Sequence, residues 1–287
     1  MQLTHRSNFK SIPNPIDDWE IAYSNRIAVP SFPKWLANAR EKSEQFHRDH
    51  ADRASIDVPH GPHARNTFDV YEPQTPATGT LVFIHGGYWV ASAKEDYRYL
   101  AAGALARGWR VVLPEYPLCP DVSIGEIASG LIPALETIAS RWHDGPIVLS
   151  GHSAGGQLAT YLTSAQSGVS ADALRAITRV VSLSGLHDLR PLIRATVLNA
   201  ALKLDPDTAH ELSPVLRAPG GGFDLVCACG AAELAEFRRQ NRLLGDMWFG
   251  FGVPTQIYEY PDMNHFTLLD PLSDSHSELT ALMTLAL

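Results

Sequence analysis

The sequence predicts an α/β fold built on a mostly parallel, twisted sheet with helices on both faces. Short apolar runs rich in β-branched residues, such as residues 80–84 and 179–184, are typical of strands buried on both sides. These runs alternate along the chain with segments of helical spacing, for example residues 123–142. Strands that alternate with helices predict a parallel sheet, and such sheets bind ligands beyond the carboxyl ends of their strands.

The chain of 287 residues divides into an N-terminal extension, residues 1–55, and a main domain, residues 56–287. We expect the extension to pack on the main domain through a helix at residues 35–47, its aromatic residues serving either as packing anchors or as part of a lid. The predicted strands of the main domain are residues 67–71, 80–84, 110–113, 146–150, 179–184, 223–229 and 255–260. Its predicted helices are residues 99–107, 123–142, 157–162, 234–244 and 277–286, and residues 190–222 are predicted to be helical fragments and loops.

Composition argues against several classes of partner. The formal charge of −8 and the lack of a Lys/Arg cluster argue against nucleic acid. The N-terminus lacks the apolar segment of a signal peptide, and no apolar run reaches membrane-spanning length. Cys119, Cys227 and Cys229 are an odd count without a zinc-binding spacing, which predicts buried thiols in a reducing compartment and no metal site. We therefore expect a soluble cytoplasmic protein.

The sequence G-H-S-A-G-G at residues 151–156 connects a predicted strand to a predicted helix. A G-x-S-x-G motif in that position predicts a nucleophile elbow, in which small residues allow a strained turn to hold the serine hydroxyl clear of the sheet. Ser153 is therefore the candidate nucleophile.

A serine hydroxyl is a weak nucleophile near neutral pH, so it needs an imidazole base and an acid that orients this base. His265 follows the last predicted strand, where a hydrolase with the chain order serine, acid, histidine has its base. Glu233 lies in the loop after the preceding strand and is the preferred acid. Glu236, Asp188 and Asp262 stay open as alternatives.

The tetrahedral intermediate of acyl transfer carries an oxyanion that needs fixed N–H donors. We expect these donors to be the amide of Ala154, at the predicted start of a helix, and those of Gly86 and Gly87, which follow a buried strand. Tyr88 and Trp89 come directly after these glycines. They are expected to narrow the substrate site and to offer a flat apolar wall.

Together these motifs resemble the α/β-hydrolase esterases and lipases, and more narrowly the arylformamidase (kynurenine formamidase) branch. The H-G-G-x-W pattern of that branch matches residues 85–89, and its elbow matches residues 151–156. The acid-bearing segment at residues 233–240 and the N-H-F sequence at residues 264–266 also match. Glu233 departs from the pattern, because formamidases usually have an aspartate there. The resemblance covers the main domain.

The resemblance implies a serine hydrolase that cleaves a carboxylic ester or an aryl formamide through an acyl-enzyme intermediate, without a metal or an organic cofactor. Two alternatives stay open: a general short-chain carboxylesterase or thioesterase, and a non-catalytic ligand-binding member of the fold. The expected partner is a small ester or amide substrate, with no nucleic acid and no membrane. The family commonly forms dimers, so a homodimer is an assembly that the resemblance allows.

Overall fold

The strands of the protein form one sheet. The computed structural model describes residues 16–143 and 145–285, and the strands within them are β1 (Ala54–Pro59), β2 (Thr67–Tyr71), β3 (Thr80–Ile84), β4 (Arg110–Pro114), β5 (Ile147–His152), β6 (Ile177–Leu183), β7 (Asp224–Gly230) and β8 (Thr255–Tyr260). Their order in the sheet is β1-β2-β4-β3-β5-β6-β7-β8. Strand β2 pairs antiparallel with β1 and β4, and the other neighbours are parallel. The predicted α/β fold with a mostly parallel sheet is confirmed.

Helices cover both faces of this sheet. Within the described ranges they are α1 (Trp19–Tyr23), α2 (Asn25–Ala28), α3 (Phe32–His50), α4 (Ala101–Ala106), α5 (Ile124–Arg141), α6 (Ala154–Leu162), α7 (Ala171–Ala176), α8 (Thr196–Leu202), α9 (Pro206–Glu211), α10 (Ala235–Phe249) and α11 (Glu278–Met283). Successive strand residues point to opposite sides, so Val82 and Leu149 join a core with α5, α6 and α10. Leu81 and Val148 join a second core with α3, α4 and α11.

Several element boundaries differ from the sequence prediction. The helix expected at residues 99–107 begins as a 3₁₀ segment, Lys94–Leu100, and becomes α-helical only in α4. Helix α5 begins where it was predicted to begin, with Ser123 as its cap in a capping box with Glu126. Strand β1 and helix α7 were not predicted. The last residue of the helix expected at residues 277–286 lies outside the described residues.

The N-terminal helices pack on the sheet and its loops. Residues 1–15 of the predicted extension lie outside the described part of the chain. In α3, the Phe46 ring lies 5.0 Å from the Tyr71 ring of β2, and Arg40 Nε lies 2.6 Å from Asp96 Oδ1. The sheet begins at Ala54, which the sequence analysis assigned to the extension. Among the described helices, none has the length and apolar character needed to cross a membrane.

Candidate active site

Ser153 lies in the turn between β5 and α6 and is almost fully buried. Its backbone has φ 56° and ψ −117°, a conformation that residues other than glycine rarely adopt. Helix α6 packs directly on the neighbouring strand. The two are so close that a Cβ on Gly155 would overlap the carbonyl oxygen of Ile84. The small residues of the motif therefore permit a strained strand–turn–helix connection with Ser153 at its tip.

His265 and Glu233 form a buried pair at the ends of β8 and β7. His265 Nδ1 lies 2.7 Å from Glu233 Oε2, and both side chains are almost completely shielded from solvent. The other carboxylate oxygen of Glu233 accepts hydrogen bonds from Ser184 Oγ at 2.6 Å and from the Gly230 N–H at 2.7 Å. These contacts fix the carboxylate so that it can orient the imidazole.

The loops after β7 and β8 are bound to each other, which brings this pair together. The Ala232 N–H donates to the Met263 carbonyl oxygen at 3.0 Å. Next to His265, the Asn264 side-chain oxygen accepts from the backbone N–H groups of Phe266 at 3.0 Å and Thr267 at 3.1 Å. The Asn-His-Phe sequence is therefore a local turn that fixes the backbone of the histidine.

The rival carboxylates have other partners. Glu236 accepts a hydrogen bond from Tyr23 Oη at 2.6 Å and pairs with Arg239 at 2.6 Å. Asp188 pairs with Arg190 of its own loop at 2.8 Å. Asp262 is exposed on the surface. Of the four carboxylates left open by the sequence, the structure brings Glu233 to the histidine.

His152, which precedes the candidate nucleophile, was missed by sequence reasoning. Its Nε2 lies 2.8 Å from the His265 carbonyl oxygen. That oxygen can only accept, so Nε2 carries the proton and supports the backbone of His265 from below. Burial lowers the pKa of His152 well below its ordinary value, and the neighbouring His265 adds to the effect. The G-x-S-x-G motif leaves the residue before the serine unspecified. A histidine at that position was the signal in the sequence that could have pointed to this contact.

The candidate oxyanion donors lie around Ser153. A Cβ on Gly86 would lie 3.1 Å from Ser153 Cβ, so glycine allows this loop to approach the elbow. The backbone N–H groups of Gly86 and Gly87 make no hydrogen bond within the described residues. The Ala154 N–H begins α6 and has no partner within its helix. Gly86 and Ala154 therefore lie next to the serine, and Gly87 follows Gly86 in the cavity wall.

A buried polar cluster holds the loop that contains these glycines. His85 Nε2 lies 2.9 Å from Glu115 Oε1, which Arg65 also contacts at 2.7 Å. Burial by itself would raise the pKa of the Glu115 carboxyl, but His85 and Arg65 lower it to about 2. Tyr116 stacks on the His85 ring at 4.2 Å and donates to the His85 carbonyl oxygen. This support comes from the strand end of β4.

Ser153 and His265 line one cavity of about 550 Å³. Tyr88 lines it as predicted, whereas Trp89 does not. The backbone has positive φ at both residues, and the Trp89 side chain is fully buried, with its indole N–H donating to Gln157 Oε1 at 3.1 Å. Trp89 therefore forms no part of the cavity wall and belongs to the core beneath the loop.

A model of the alpha/beta hydrolase fold family matches residues 81–269, which is more than half of the chain. The chain belongs to the alpha/beta hydrolase fold family. The match includes the elbow, the glycine loop, Glu233 and His265, and it confirms the resemblance at the level of the family.

Relatives and solved structures agree with this assignment. The kynurenine formamidase of Salmo salar is 27% identical over 279 residues that cover 91% of each chain. The kynurenine formamidase of Danio rerio is 26% identical and covers 79% of this chain and 80% of its own. A provisionally assigned thioesterase from Silicibacter sp. TM1040 is 35% identical, with a TM-score of 0.84 over 92% of this chain and 98% of its own. An esterase from Pyrobaculum calidifontis is 16% identical, with a TM-score of 0.67 over 94% of this chain and 98% of its own, and shows the shared fold. The family and these relatives together support a hydrolase.

Part of the cavity wall comes from residues that precede the matched region. Tyr23, Asn25, Arg26, Ile27 and Phe32 of the N-terminal segment all line the cavity. Tyr23 is also an anchor, since its hydroxyl is bound to α10. The aromatic residues Tyr23 and Phe32 therefore line the cavity, and Tyr23 has the predicted role of a packing anchor as well.

The other reactive side chains of the molecule lie outside this arrangement. Cys119, Cys227 and Cys229 are free and buried, and burial raises the pKa of each thiol, so they are poor nucleophiles at neutral pH. Within residues 16–143 and 145–285, no group of three or more His, Cys, Asp or Glu side chains is arranged to hold a metal ion.

Proposed function

We propose that the protein is a serine hydrolase that cleaves a carboxylic ester or an aryl formamide through an acyl-enzyme intermediate. Ser153 is the nucleophile, His265 the general base and Glu233 the acid that orients this base. The observation that supports this most is the buried His265–Glu233 pair at 2.7 Å, because His265 lines the same cavity as Ser153 of the strained turn.

The contacts support a two-step mechanism. Glu233 occupies Nδ1 of His265, which leaves Nε2 to accept the proton as Ser153 Oγ attacks the substrate carbonyl. The N–H groups of Gly86, Gly87 and Ala154 stabilise the oxyanion of the tetrahedral intermediate. His265 then gives its proton to the leaving amine or alcohol and an acyl-enzyme forms. A water molecule activated by His265 releases the acid in the second step, and Ser153 regains its proton.

The relatives favour an aryl formamide or a related ester as the substrate. Two curated relatives are kynurenine formamidases that align along most of the chain. A cavity of about 550 Å³ with mostly apolar walls suits an aromatic leaving group. Thioester hydrolysis is the alternative, favoured by the 35% identical structure that carries a provisional thioesterase assignment.

The first experiment is covalent labelling of the nucleophile. An organophosphate or a sulfonyl fluoride is expected to add to Ser153 in proportion to the loss of activity, because the paired imidazole activates that hydroxyl. Peptide mass spectrometry locates the label, and Ser153→Ala is the control that takes up none. Full activity in the labelled protein or in the Ser153→Ala variant would contradict the proposal, whereas a parent protein that hydrolyses no substrate above the Ser153→Ala background would favour a ligand-binding role.

The substrate class is decided by a comparison of kcat/KM. N-formylkynurenine, 4-nitrophenyl acetate and a short acyl thioester are assayed side by side. A formamidase is expected to have its highest kcat/KM on the formamide. A preference for the ester or the thioester assigns the alternative activity with the same catalytic residues.

A further inference from the structure

The cavity that contains Ser153 has one polar region in an otherwise apolar wall. Its apolar part includes Ile27, Phe32, Val90, Val197, Leu198 and Phe266. Besides the two histidines near the serine and three tyrosines, the side chains with ionisable groups that line it are Glu20 and Arg26, and Asn25 lies beside Arg26 on α2. The polar region therefore belongs to the N-terminal segment, outside the part of the chain that matches the family.

The Glu20 carboxylate already has hydrogen-bond partners in the protein. Its Oε1 accepts hydrogen bonds from the Val197 N–H at 2.9 Å and from Thr196 Oγ1 at 3.1 Å, which are groups at the start of α8. A carboxylate at the first turn of a helix is stabilised there by the free N–H groups. Glu20 therefore joins α1 to α8 and holds this side of the cavity together.

Arg26 is exposed and lines the same cavity without a carboxylate partner. None of the ion pairs formed by the described residues includes it. Its guanidinium carbon lies 5.6 Å from the centre of the Phe32 ring, a contact that positions the group at the cavity. The guanidinium keeps its N–H donors available for a planar anionic group.

Asn25 is 4% exposed, and its Nδ2 has no hydrogen-bond partner within the described residues. A buried amide group without a partner is unfavourable, and native structures rarely contain one without a reason. Asn25 lines the cavity, so an acceptor on a bound molecule would satisfy it.

We propose that Asn25 and Arg26 form a subsite for a carboxylate carried by the substrate away from the bond that is cleaved. This inference rests on the proposed hydrolase function and specifies its substrate class as anionic esters or formamides. A single arginine with a neutral amide matches a singly charged carboxylate. A phosphate, with more charge and more acceptor oxygens, calls for further cations, and Glu20 in the same wall disfavours it.

The test compares two matched pairs of substrates that differ only in this charge. With the charge on the leaving group, the pair is 4-formamidobenzoate and 4-formamidobenzamide. With the charge on the acyl group, the pair is mono-4-nitrophenyl glutarate and 4-nitrophenyl pentanoate. The parent protein is expected to prefer the anionic member of at least one pair.

Variants of Arg26 and Asn25 test whether α2 causes the preference for the anionic substrate. Arg26→Gln is expected to lower the ratio of kcat/KM, anionic over neutral, about tenfold to a hundredfold in that pair, the range expected for a lost charge-assisted hydrogen bond. Asn25→Asp is expected to lower the same ratio by placing a like charge beside the carboxylate. Arg194→Gln is the matched control: its guanidinium lies 4.9 Å from the Trp19 ring, outside the cavity lining, and the ratio is expected to stay as in the parent.

An equal ratio in the parent and in Arg26→Gln for both pairs overturns the subsite. If no ester or formamide is hydrolysed, the proposed function fails by itself. The subsite is then decided by calorimetric binding of 4-formamidobenzoate and 4-formamidobenzamide to the Ser153→Ala protein. Tighter binding of the benzoate that disappears when Arg26→Gln is added supports the subsite, and equal binding of the two compounds overturns it.

Discussion

The Glu233 carboxylate is bound by three groups, and this explains why a glutamate fits at this position. Ser184 Oγ and the Gly230 N–H hold one oxygen, and His265 Nδ1 takes the other. An aspartate is shorter by one methylene and could not reach all three without a backbone shift. The chain meets this need by placing the carboxylate three residues after the end of β7, in a loop that turns back on the strand.

We expect the Glu233→Gln variant to fold normally. Its kcat is expected to be about a thousandfold lower than that of the parent, because the amide cannot stabilise the imidazolium of His265 or enforce its tautomer. Steady-state kinetics on the best substrate, with circular dichroism for the fold, measures this. Asp262→Asn changes an exposed carboxylate close to His265 in sequence and is expected to match the parent. Comparable losses in the two variants would show that Glu233 is not the orienting acid.

There is a physical reason why the sequence predicted some residues of the candidate site and missed others. Ser153, Glu233 and His265 each lie within a few residues of the carboxyl end of a strand, and strand ends of a parallel sheet share one edge. Trp89 was placed in the wall because it follows the glycines, yet positive φ values rotate its side chain into the core. The hydrogen bond from His152 to the His265 backbone joins segments distant in the chain, so no local pattern indicates it.

At the scale of elements, the elbow depends on how closely α6 approaches β3 and β5. We expect Gly155→Ala to cost at least about 3 kcal/mol in the free energy of unfolding, since the new Cβ would overlap backbone oxygens that cannot move alone. Gly222→Ala is the matched control, because a Cβ there has nothing within 4 Å. Urea denaturation compares the two. A Gly155→Ala protein as stable as the control would mean that helix and strand are not in tight contact.

Strands in the middle of the sheet are among the elements that the sequence predicted well. Strands β3, β5 and β6 are almost entirely buried, and their predicted limits are within two residues of the structure. Strand β1 is an edge strand that alternates between half-buried and exposed residues and is interrupted by a bulge with positive φ at Asp57. A short irregular alternation of this kind has little apolar signal, so no strand was predicted here and its first two residues were assigned to the extension.

At the scale of the molecule, the family core supplies the candidate catalytic groups, and the N-terminal segment supplies part of the cavity wall. The His265–Glu233 pair depends on neighbouring parallel strands whose carboxyl ends share one edge of the sheet, and the alternation of strands and helices predicts such a parallel sheet. The wall at α1 and α2 depends on where a proline-rich segment folds back, and Tyr23 fixes this through its bond to Glu236. Such a contact across 213 positions leaves no periodic pattern in either segment.

Buried histidines make the stability of the whole molecule depend on pH. Burial lowers the pKa of His187 to about 3, and it also lowers the pKa values of His152 and His60. In the unfolded chain these groups titrate near their ordinary value of about 6.5. Below that pH the unfolded chain binds protons that the native protein does not, so stability is complete above about pH 6.5 and is lost as the pH falls.

We therefore expect the free energy of unfolding to decrease below about pH 6.5, by as much as about 1.4 kcal/mol per pH unit for each of these histidines. Urea denaturation at several pH values between 8 and 5 measures the slope. His187 lies 3.1 Å from Ser182 Oγ and 3.3 Å from Thr160 Oγ1, and His187→Gln is expected to reduce the slope by about one proton, whatever its effect on stability at pH 8. His276→Gln on the surface is the control and keeps the parent slope. A slope that is the same in His187→Gln and the parent would show that the buried ring takes up its proton without unfolding.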